Sequence, residues 1–300
     1  MNHVATLIGN PERAPLESTH IEAAAAALRA QGAAVEAPDW LGEREACDVP
    51  FTGLPSDAAL AALRRSLRDN PIDIAIQPVS GRRKAILVAD MDSTMITSES
   101  LDELAVHAGV GDEVKAITAR SMNGEIDFRE ALKVRVAMLK GLPTSALEDV
   151  ARGIVPTAGA ATLIATMRAS GAYTVLVTGG FSYFSTRVCR QLGFDRGVAN
   201  VLEIVDGQLT GRLVEPVLTR DGKRQTLLDI AAERRVSLDA TLAVGDGAND
   251  LEMIRTAGMG VAFRAKPVVA SVARTRVDHG DLTALLFFQG YRRREFRNAA

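Results

Sequence analysis

Two carboxylates follow an apolar run in the segment AILVADMDST, which covers residues 85–94. Asp90 and Asp92 are two positions apart, so on an extended backbone their side chains point to the same side. Two negative charges so close together are unfavourable unless a cation lies between them. A strand that ends in a polar turn explains a single Asp-x-Asp pair equally well. An EF-hand does not, because Met95 and Leu101 stand where that loop needs Gly and Glu.

A second acidic segment, GDGANDLEMI, follows the apolar run TLAV and covers residues 245–254. A helix cap would account for one acid there, but Asp246, Asn249 and Asp250 are more than a cap requires. Mg²⁺ prefers carboxylate and carbonyl oxygens, and it often acts together with a substrate phosphate. The sequence therefore predicts a Mg²⁺ site formed by Asp90, Asp246 and the main-chain carbonyl of Asp92.

Two further segments carry groups that suit a phosphate. In VLVTGGFS (residues 175–182), Thr178 offers a hydroxyl, and Gly179 allows backbone N–H groups to approach an anion. Lys223, at the start of a predicted helix, could neutralise both a phosphoryl group and a nucleophilic carboxylate. Gly-Gly turns and helix-start lysines are common, so each signal is weak when taken alone.

The elements that must position these residues are short, continuous apolar runs: AILVA, AYTVLVT, TLAVG and GMGVAF. Each is followed by a turn and a helical stretch, which predicts an α/β fold with a doubly wound parallel sheet covered on both faces. Sites in such folds lie at the carboxyl ends of the strands. The long helical segment of about residues 97–155 predicts a cap inserted after the first strand, within a domain of residues 81–300.

Residues 1–80 have a different pattern. Strand-like and helix-like stretches alternate there in the order β-α-β-β-α-β, which predicts a small α+β domain with a ferredoxin-like fold. The segment VSGRRK, residues 79–84, is small and charged and is the predicted linker to the larger domain.

Composition narrows the function classes. Lys and Arg number 35 against 37 Asp and Glu, and this balance argues against nucleic acid as a partner. Cys47 and Cys189 are the only cysteines and form no C-x-x-C motif, so neither a disulfide framework nor a zinc site is expected. No signal peptide or membrane-length apolar run is read, so we expect a cytoplasmic protein with no membrane partner. The basic tail YRRREF, residues 291–296, is interpreted as a solvated helix end.

Taken together, the four polar segments resemble the haloacid dehalogenase superfamily of phosphotransferases over residues 85 to about 290. The resemblance implies that Asp90 attacks phosphorus and forms an aspartyl-phosphate. It also implies that Asp92 protonates the leaving alkoxide and then deprotonates the attacking water. The positions that match the pattern of the superfamily are Asp90, Asp92, Thr94, Thr178, Lys223, Gly245, Asp246 and Asp250.

The predicted cap adds a signal about the substrate. Arg135 stands in a helix stripe that otherwise carries apolar residues such as Phe128 and Leu132. An arginine that snorkels at the cap's edge would explain this, and so would a clamp for a carboxylate. Glu99, just before the first cap helix, is either a surface acid or a partner for an ammonium group. If both face inward, they match O-phosphoserine, a small molecule with an ammonium and a carboxylate beside a phosphate ester.

The four polar segments together with Glu99 and Arg135 resemble the phosphoserine phosphatase family, whose members catalyse the last step of serine biosynthesis. Thr178 departs from the serine that is frequent at its position but keeps the hydroxyl. The N-terminal unit resembles ACT-like amino-acid-binding modules, and a homodimer is considered as the assembly. The alternative is a phosphatase or phosphotransferase of the same superfamily that acts on another small phosphorylated amino acid or sugar. The family's substrate-binding positions fall on Glu99, Phe128, Arg135, Thr178, Gly179, Lys223 and Asn249.

A receiver module of a response regulator also uses an acceptor Asp, a Lys and a Thr on a doubly wound sheet. It has no cap and no second acid two residues after its acceptor. Asp92 is therefore the residue that favours an enzyme over a signalling module.

Overall fold

The computed structural model describes residues 2–298. Residues 3–78 form an antiparallel sheet in which β2, β4, β1 and β5 are neighbours in that order, and β3 pairs with β4. This is the predicted β-α-β-β-α-β order with one additional short strand, β3. The elements are β1 (His3–Ile8), α1 (Ser18–Ala30), β2 (Ala34–Val35), β3 (Asp39–Gly42), β4 (Ala46–Thr52), α2 (Ser56–Ser66) and β5 (Asp73–Pro78).

The two faces of this sheet are buried against different partners. Side chains alternate along a strand, so Leu7 and Val49 pack among residues of α1 and α2. Ile8 and Ala46 point the other way and join the core of the larger domain. The N-terminal domain therefore shares a hydrophobic core with the rest of the chain.

The predicted linker is attached to both domains through the side chain of Arg82. No regular element lies between Pro78 and Ile86. Within that segment, Arg82 donates hydrogen bonds to both carboxylate oxygens of Asp48 and to the main-chain carbonyls of Phe287 and Phe288. The side chain of Arg82 is largely buried, and removing either partner of a buried pair leaves a charge uncompensated.

The basic tail is partly exposed to solvent, as expected, but it is not the end of an α-helix. Residues Arg293–Glu295 form a single 3₁₀ turn, and Arg292 and Arg293 form ion pairs with Asp39 and Glu45 of the N-terminal domain. The acids lie about 250 residues away in sequence, so no local pattern could indicate the pairing.

The larger domain is built on a seven-stranded sheet with the order β12-β11-β10-β6-β7-β8-β9. All neighbours are parallel except β8 and β9, which pair antiparallel as a hairpin. The four predicted apolar strands correspond to β6, β7, β10 and β11. The strands β8, β9 and β12 were not predicted, because the hairpin strands are partly exposed and mixed in polarity and β12 has three residues. The strands are β6 (Ile86–Ala89), β7 (Tyr173–Phe181), β8 (Arg196–Val205), β9 (Gln208–Val214), β10 (Thr241–Gly245), β11 (Met259–Phe263) and β12 (Thr275–Val277).

Four helices lie in the predicted cap segment between β6 and β7. The chain enters and leaves the cap side by side, since the N–H of Thr97 donates to the carbonyl of Val155 over 3.0 Å. The cap helices are α3 (Ser100–His107), α4 (Gly111–Met122), α5 (Phe128–Ala137) and α6 (Ser145–Gly153).

The cap is also tied to the β8–β9 hairpin by three main-chain hydrogen bonds. Leu209 accepts from the N–H of Gly141 over 2.8 Å and donates to the carbonyl of Leu142 over 2.9 Å. Thr144 donates to the carbonyl of Gly207 over 2.9 Å. These bonds fix the α5–α6 end of the cap to the edge of the sheet.

The remaining helices cover the sheet or complete the C-terminal part. No helix within residues 2–298 has the length and apolar character needed to cross a membrane. These helices are α7 (Ala160–Ala169), α8 (Ser182–Leu192), α9 (Arg220–Arg234), α10 (Leu251–Thr256), α11 (Pro267–Ala270) and α12 (Ala284–Phe288).

Candidate active site

Asp90 stands at the carboxyl end of β6, where the chain makes a π-helical turn over Met91–Met95. Its Oδ1 accepts a hydrogen bond from the N–H of Met91 over 2.8 Å and lies 2.6 Å from Nζ of Lys223. Burial raises the pKa of Asp90, the charge of Asp250 raises it further, and Lys223 opposes both. One carboxylate oxygen is thus held in place, and Oδ2 stays available for chemistry.

Lys223, on α9, lies beneath this carboxylate and has no solvent exposure. Its Nζ is also 2.7 Å from Oδ1 of Asp250. Burial alone would lower the pKa of Lys223, but the carboxylates of Asp250 and Asp90 outweigh burial and raise the pKa well above its usual range. Lys223 therefore stays positively charged, and it links Asp90 in the first acidic segment to Asp250 in the second.

Asp250 organises the turn after β10. Its Oδ2 accepts from the N–H groups of Asp246 over 3.2 Å and Gly247 over 3.1 Å. The carboxyl group packs so closely on Gly245 that a Cβ there would lie 2.3 Å from the carboxyl carbon, so only glycine fits. Asp250 is part of the predicted motif, but its position in the sequence indicated no role. The structure makes it the residue that positions Lys223 and the turn of Asp246.

The acidic groups at this edge fit a hard divalent cation. Carboxylate oxygens of Asp90, Asp246 and Asp250 lie within 4.8 Å of one another. Burial, and then the charge of Asp250, raise the pKa of Asp246 to about 7, which indicates a cluster short of positive charge. Oδ1 of Asp246 accepts from Thr94, and both oxygens of Asp250 are already hydrogen bonded. The oxygens best placed to bind a metal are therefore Oδ2 of Asp90 and of Asp246.

Asp92 faces the end of β7 and the start of the cap. Its Oδ1 accepts from the N–H of Ser100 over 2.8 Å, and its Oδ2 accepts from the hydroxyl of Thr178 over 3.2 Å. Burial raises the pKa of Asp92, although these hydrogen bonds act in the opposite direction. A carboxyl group that keeps its proton more readily than usual is suited to protonate a leaving group.

The turn that follows Thr178 is shaped by two contacts. The N–H of Gly180 donates to the Thr178 hydroxyl over 2.9 Å. A Cβ at Gly179 would lie 2.5 Å from the ring of Phe128, so the cap closes directly on glycine backbone. Asn200, which the sequence analysis missed, donates from Nδ2 to the carbonyl of Gly179 over 2.8 Å. It belongs to no motif, and its one signal is a buried amide inside the strand β8.

Glu99 and Arg135 both face inward from the cap side. Oε1 of Glu99 accepts from the hydroxyl of Ser93 over 2.6 Å, and Ser93 has a left-handed backbone with φ of 55°. Burial, followed by the charges of Asp92 and Asp246, raises the pKa of Glu99 to about 8. Arg135 is 3% exposed, and burial lowers its pKa against the charge of nearby acids. Arg135 is buried and Glu99 is half-buried, and both line the cavity, which favours the inward-facing interpretation over the surface-acid and snorkelling alternatives.

One cavity collects these groups. The free volume inside is about 30 Å³, which is roughly the share of one water molecule in the liquid. A substrate of more than a few atoms therefore requires the cap to move. Oδ1 of Asn249, in the cavity wall, is buried without a hydrogen-bond partner among the described residues. Of the residues predicted for the site, all but Lys223 line the cavity: Asp90, Asp92, Glu99, Phe128, Arg135, Thr178, Gly179, Asp246 and Asn249.

This chain is similar to known proteins of one enzyme family. Residues 87–255 match the family model of haloacid dehalogenase-like hydrolases. A phosphoserine phosphatase of Archaeoglobus fulgidus is 42% identical over 247 residues, which cover 82% of this chain and 69% of that protein.

Two solved structures extend the comparison. A haloacid dehalogenase family hydrolase from Salmonella enterica serovar Typhi superposes with a TM-score of 0.81 at 27% identity, covering 95% of this chain and 98% of that one. A phospho-aspartyl intermediate analogue of phosphoserine phosphatase is 38% identical with a TM-score of 0.66, covering 69% of this chain and 99% of that one.

Proposed function

This chain belongs to the haloacid dehalogenase-like hydrolases and, within them, to the phosphoserine phosphatases, and we propose that it hydrolyses O-phosphoserine to serine and phosphate with Mg²⁺ as cofactor. The reaction would be the last step of serine biosynthesis. Members of the family depend on a metal, and the buried acidic cluster at the end of β6 and β10 is in keeping with that requirement.

The observation that carries the proposal is the set of side chains at the cavity beside the carboxyl ends of β6, β7 and β10. The Asp90–Lys223 pair and the hydroxyl of Thr178 provide the groups for phosphoryl transfer. Glu99 and Arg135 face the same space, and neither is needed to cleave a phosphate ester. A negative and a positive side chain beside the chemical groups complement the ammonium and the carboxylate of a phosphorylated amino acid.

In the first half-reaction, one carboxylate oxygen of Asp90 attacks phosphorus, and the bonds of Oδ1 to Lys223 and to the N–H of Met91 fix the orientation of the group. The bond between phosphorus and the serine oxygen breaks, and the proton of Asp92 moves to that oxygen. Lys223, the hydroxyl of Thr178 and the amides of the Gly179 turn offset the negative charge on the phosphoryl oxygens. The product on the enzyme is an aspartyl-phosphate at Asp90.

In the second half-reaction, Asp92 accepts a proton from water, whose oxygen attacks phosphorus and releases Asp90 as a carboxylate. The carboxylate oxygen of Asp90 that does not attack, Oδ2 of Asp246 and the main-chain carbonyl of Asp92 would hold the metal. Mg²⁺, when bound, supplies positive charge that offsets the repulsion between the phosphoryl group and the attacking carboxylate. Closure of the cap by Phe128 excludes bulk water while the intermediate forms.

The test is a phosphate-release panel with purified protein, with and without Mg²⁺. The substrates are phosphoserine, phosphothreonine, a sugar phosphate and a small aryl phosphate. We expect phosphoserine to have the highest kcat/KM and to require the metal, with Asp90→Asn protein as the control for contaminating phosphatases. A preference for the sugar phosphate would instead support the alternative, a phosphatase of the same family with another substrate.

Three other expectations from the sequence stay predictions. They are a cytoplasmic location, the absence of nucleic-acid and membrane partners, and a homodimer. Light scattering of the purified chain tests the homodimer, and fractionation of the source cells tests the location.

A further inference from the structure

Arg135 lies in the cap with its charge almost fully buried. The hydrogen bonds that it donates go to neutral oxygens: from Nε to the carbonyl of Ala131 over 3.2 Å and from Nη1 to the hydroxyl of Thr118 over 2.9 Å. Burial disfavours this charge, and the acid that contributes most to stabilising it is Asp102. A buried guanidinium needs such support to stay in one conformation while the cavity holds no carboxylate.

Thr118 connects Arg135 to Asp102. A threonine hydroxyl has one proton to donate, and Thr118 donates it to Oδ1 of Asp102 over 2.6 Å. Its lone pairs are then directed to accept from Arg135. The donor-to-acceptor direction of these two hydrogen bonds is therefore fixed, from guanidinium to hydroxyl to carboxylate.

The three side chains come from three different helices of the cap. Asp102 is in the first turn of α3, Thr118 is in α4 and Arg135 is near the end of α5. Neither Thr118 nor Asp102 lines the cavity, so neither touches a ligand there. The hydroxyl acts on the reaction through the position of Arg135, whereas the charge of Asp102 acts on Arg135 and also raises the pKa of Glu99.

We propose that Thr118 and Asp102 are positioning residues that set the preference for a substrate with a carboxylate, by holding the Arg135 guanidinium ready for it. The inference rests on the proposed function and extends it to residues outside the cavity. Because Nε and Nη1 of Arg135 are already hydrogen bonded, Nη2 is the nitrogen left for the carboxylate of the substrate. Little rotamer entropy of Arg135 is then lost when that carboxylate binds.

The experiment measures kcat and KM for phosphoserine and for a small aryl phosphate on Thr118→Val and Asp102→Asn proteins. Thr118→Val keeps the shape of the side chain but removes the hydroxyl. Loss of a hydrogen bond to a charged group corresponds to about 10- to 100-fold. We expect a fall of that size in kcat/KM for phosphoserine, mainly through KM, and a change within about twofold for the aryl phosphate. Thr118→Ser retains the hydroxyl and should restore the preference.

Two matched controls separate positioning from folding. Ser121→Ala removes a buried hydroxyl from the same helix, where it has no hydrogen-bond partner among the described residues. Glu103→Gln removes an exposed acid from the same first turn of α3 as Asp102. Both control proteins should keep the wild-type ratio of the two substrates, and thermal unfolding should show all variants folded at the assay temperature.

A double-mutant cycle gives the decisive outcome. In an Arg135→Ala background, Thr118→Val should cause no further loss on phosphoserine, because the group that it positions is gone. Equal losses on both substrates, or a full additional loss in the Arg135→Ala background, would overturn the positioning role. Wild-type protein that does not hydrolyse phosphoserine would overturn the proposed function itself. An unchanged ratio in variants of a phosphoserine-active enzyme would overturn only the inference about Thr118 and Asp102.

Discussion

The chemical centre and the recognition site of the cap share one cavity but are built differently. At the centre, Asp90, Asp92 and Asp250 each accept a hydrogen bond from a backbone N–H of a turn at a strand end or at the start of the cap. In the recognition site, formed by Glu99 and Arg135, Arg135 donates one hydrogen bond to a carbonyl of its own helix and one to the hydroxyl of Thr118 on another helix. Backbone support lies within a local segment of the sequence, whereas the bond to Thr118 depends on how two helices pack. Chemistry is therefore easier to read from this sequence than specificity.

The largest effect should follow a change at the centre. Asp90→Asn removes the nucleophile and should lower kcat on the order of 10⁴-fold or more for every substrate, while the protein stays folded. Steady-state phosphate release from phosphoserine and from an aryl phosphate measures this. Asp92→Asn is the matched comparison, because it should slow both formation and hydrolysis of the intermediate. Near-normal turnover by Asp90→Asn protein would show that another group is the nucleophile.

Removal of the metal should have the next largest effect, and it should lower the turnover of phosphoserine and of the aryl phosphate equally. A chelator should abolish turnover of both, and Mg²⁺ should restore it. Ca²⁺ should inhibit, because it prefers a larger and looser set of oxygen ligands that would displace Asp90. Turnover and thermal unfolding in chelator, Mg²⁺ and Ca²⁺ measure activity and binding separately. Full activity in excess chelator would contradict the role assigned to Asp246.

Changes in the recognition site should separate the two substrates. Arg135→Ala or Glu99→Gln leaves a charge of phosphoserine unpaired in a closed site, at a cost of about 2–5 kcal/mol. The expected loss in kcat/KM is roughly 30- to several-thousand-fold for phosphoserine and much less for the aryl phosphate. Metal dependence should be unchanged in both variants. If both substrates lose equally, these residues support only the cap, and the phosphoserine assignment falls while the phosphatase remains.

The smallest expected effect is a pH dependence confined to the recognition site. The pKa of Glu99 is raised to about 8, so its carboxyl is ionised above that pH and protonated below it. An ammonium group binds the ionised form, so the ratio of kcat/KM for phosphoserine to that for the aryl phosphate should fall as pH is lowered from about 8. Bound Mg²⁺ offsets the charges of Asp92 and Asp246, which moves the midpoint below 8. Glu99→Gln protein should show a ratio that does not vary with pH.

The centre could be predicted because its residues follow buried strands. Each apolar run ends where the polar segment begins, so the parallel sheet brings Asp90, Thr178 and Asp246 to one edge. The roles of Asp250 and Asn200 could not be predicted in the same way. Asp250 acts by accepting backbone N–H groups of its own turn, and Asn200 acts on a turn 21 residues earlier in the chain. Asp250 stands in a motif that does not reveal this role, and the contact of Asn200 with Gly179 leaves no pattern in the sequence.

In the cap, the break in the apolar stripe at Arg135 was enough to indicate a functional residue. The sequence did not indicate which residues hold Arg135 in place. Thr118 lies 17 residues before Arg135 and Asp102 lies 16 before Thr118. These spacings follow from the packing of three helices and do not correspond to a helical repeat, so they could not be recognised in the sequence. The same limit applies to the Arg82–Asp48 pair between the domains, where the sequence indicated only a short charged linker.

The main-chain bonds between the cap and β9 restrict how substrate can come and go. The cap meets the rest of the enzyme at the chain crossing, where Thr97 bonds to Val155, and again at Gly141 and Leu142. These bonds hold that end of the cap in place, whereas the start of α5 lies with Phe128 against Gly179. Because the cavity holds about one water molecule, part of the cap must move before a substrate enters. The rate of that movement is an upper limit on turnover that no improvement in the chemical groups can lift.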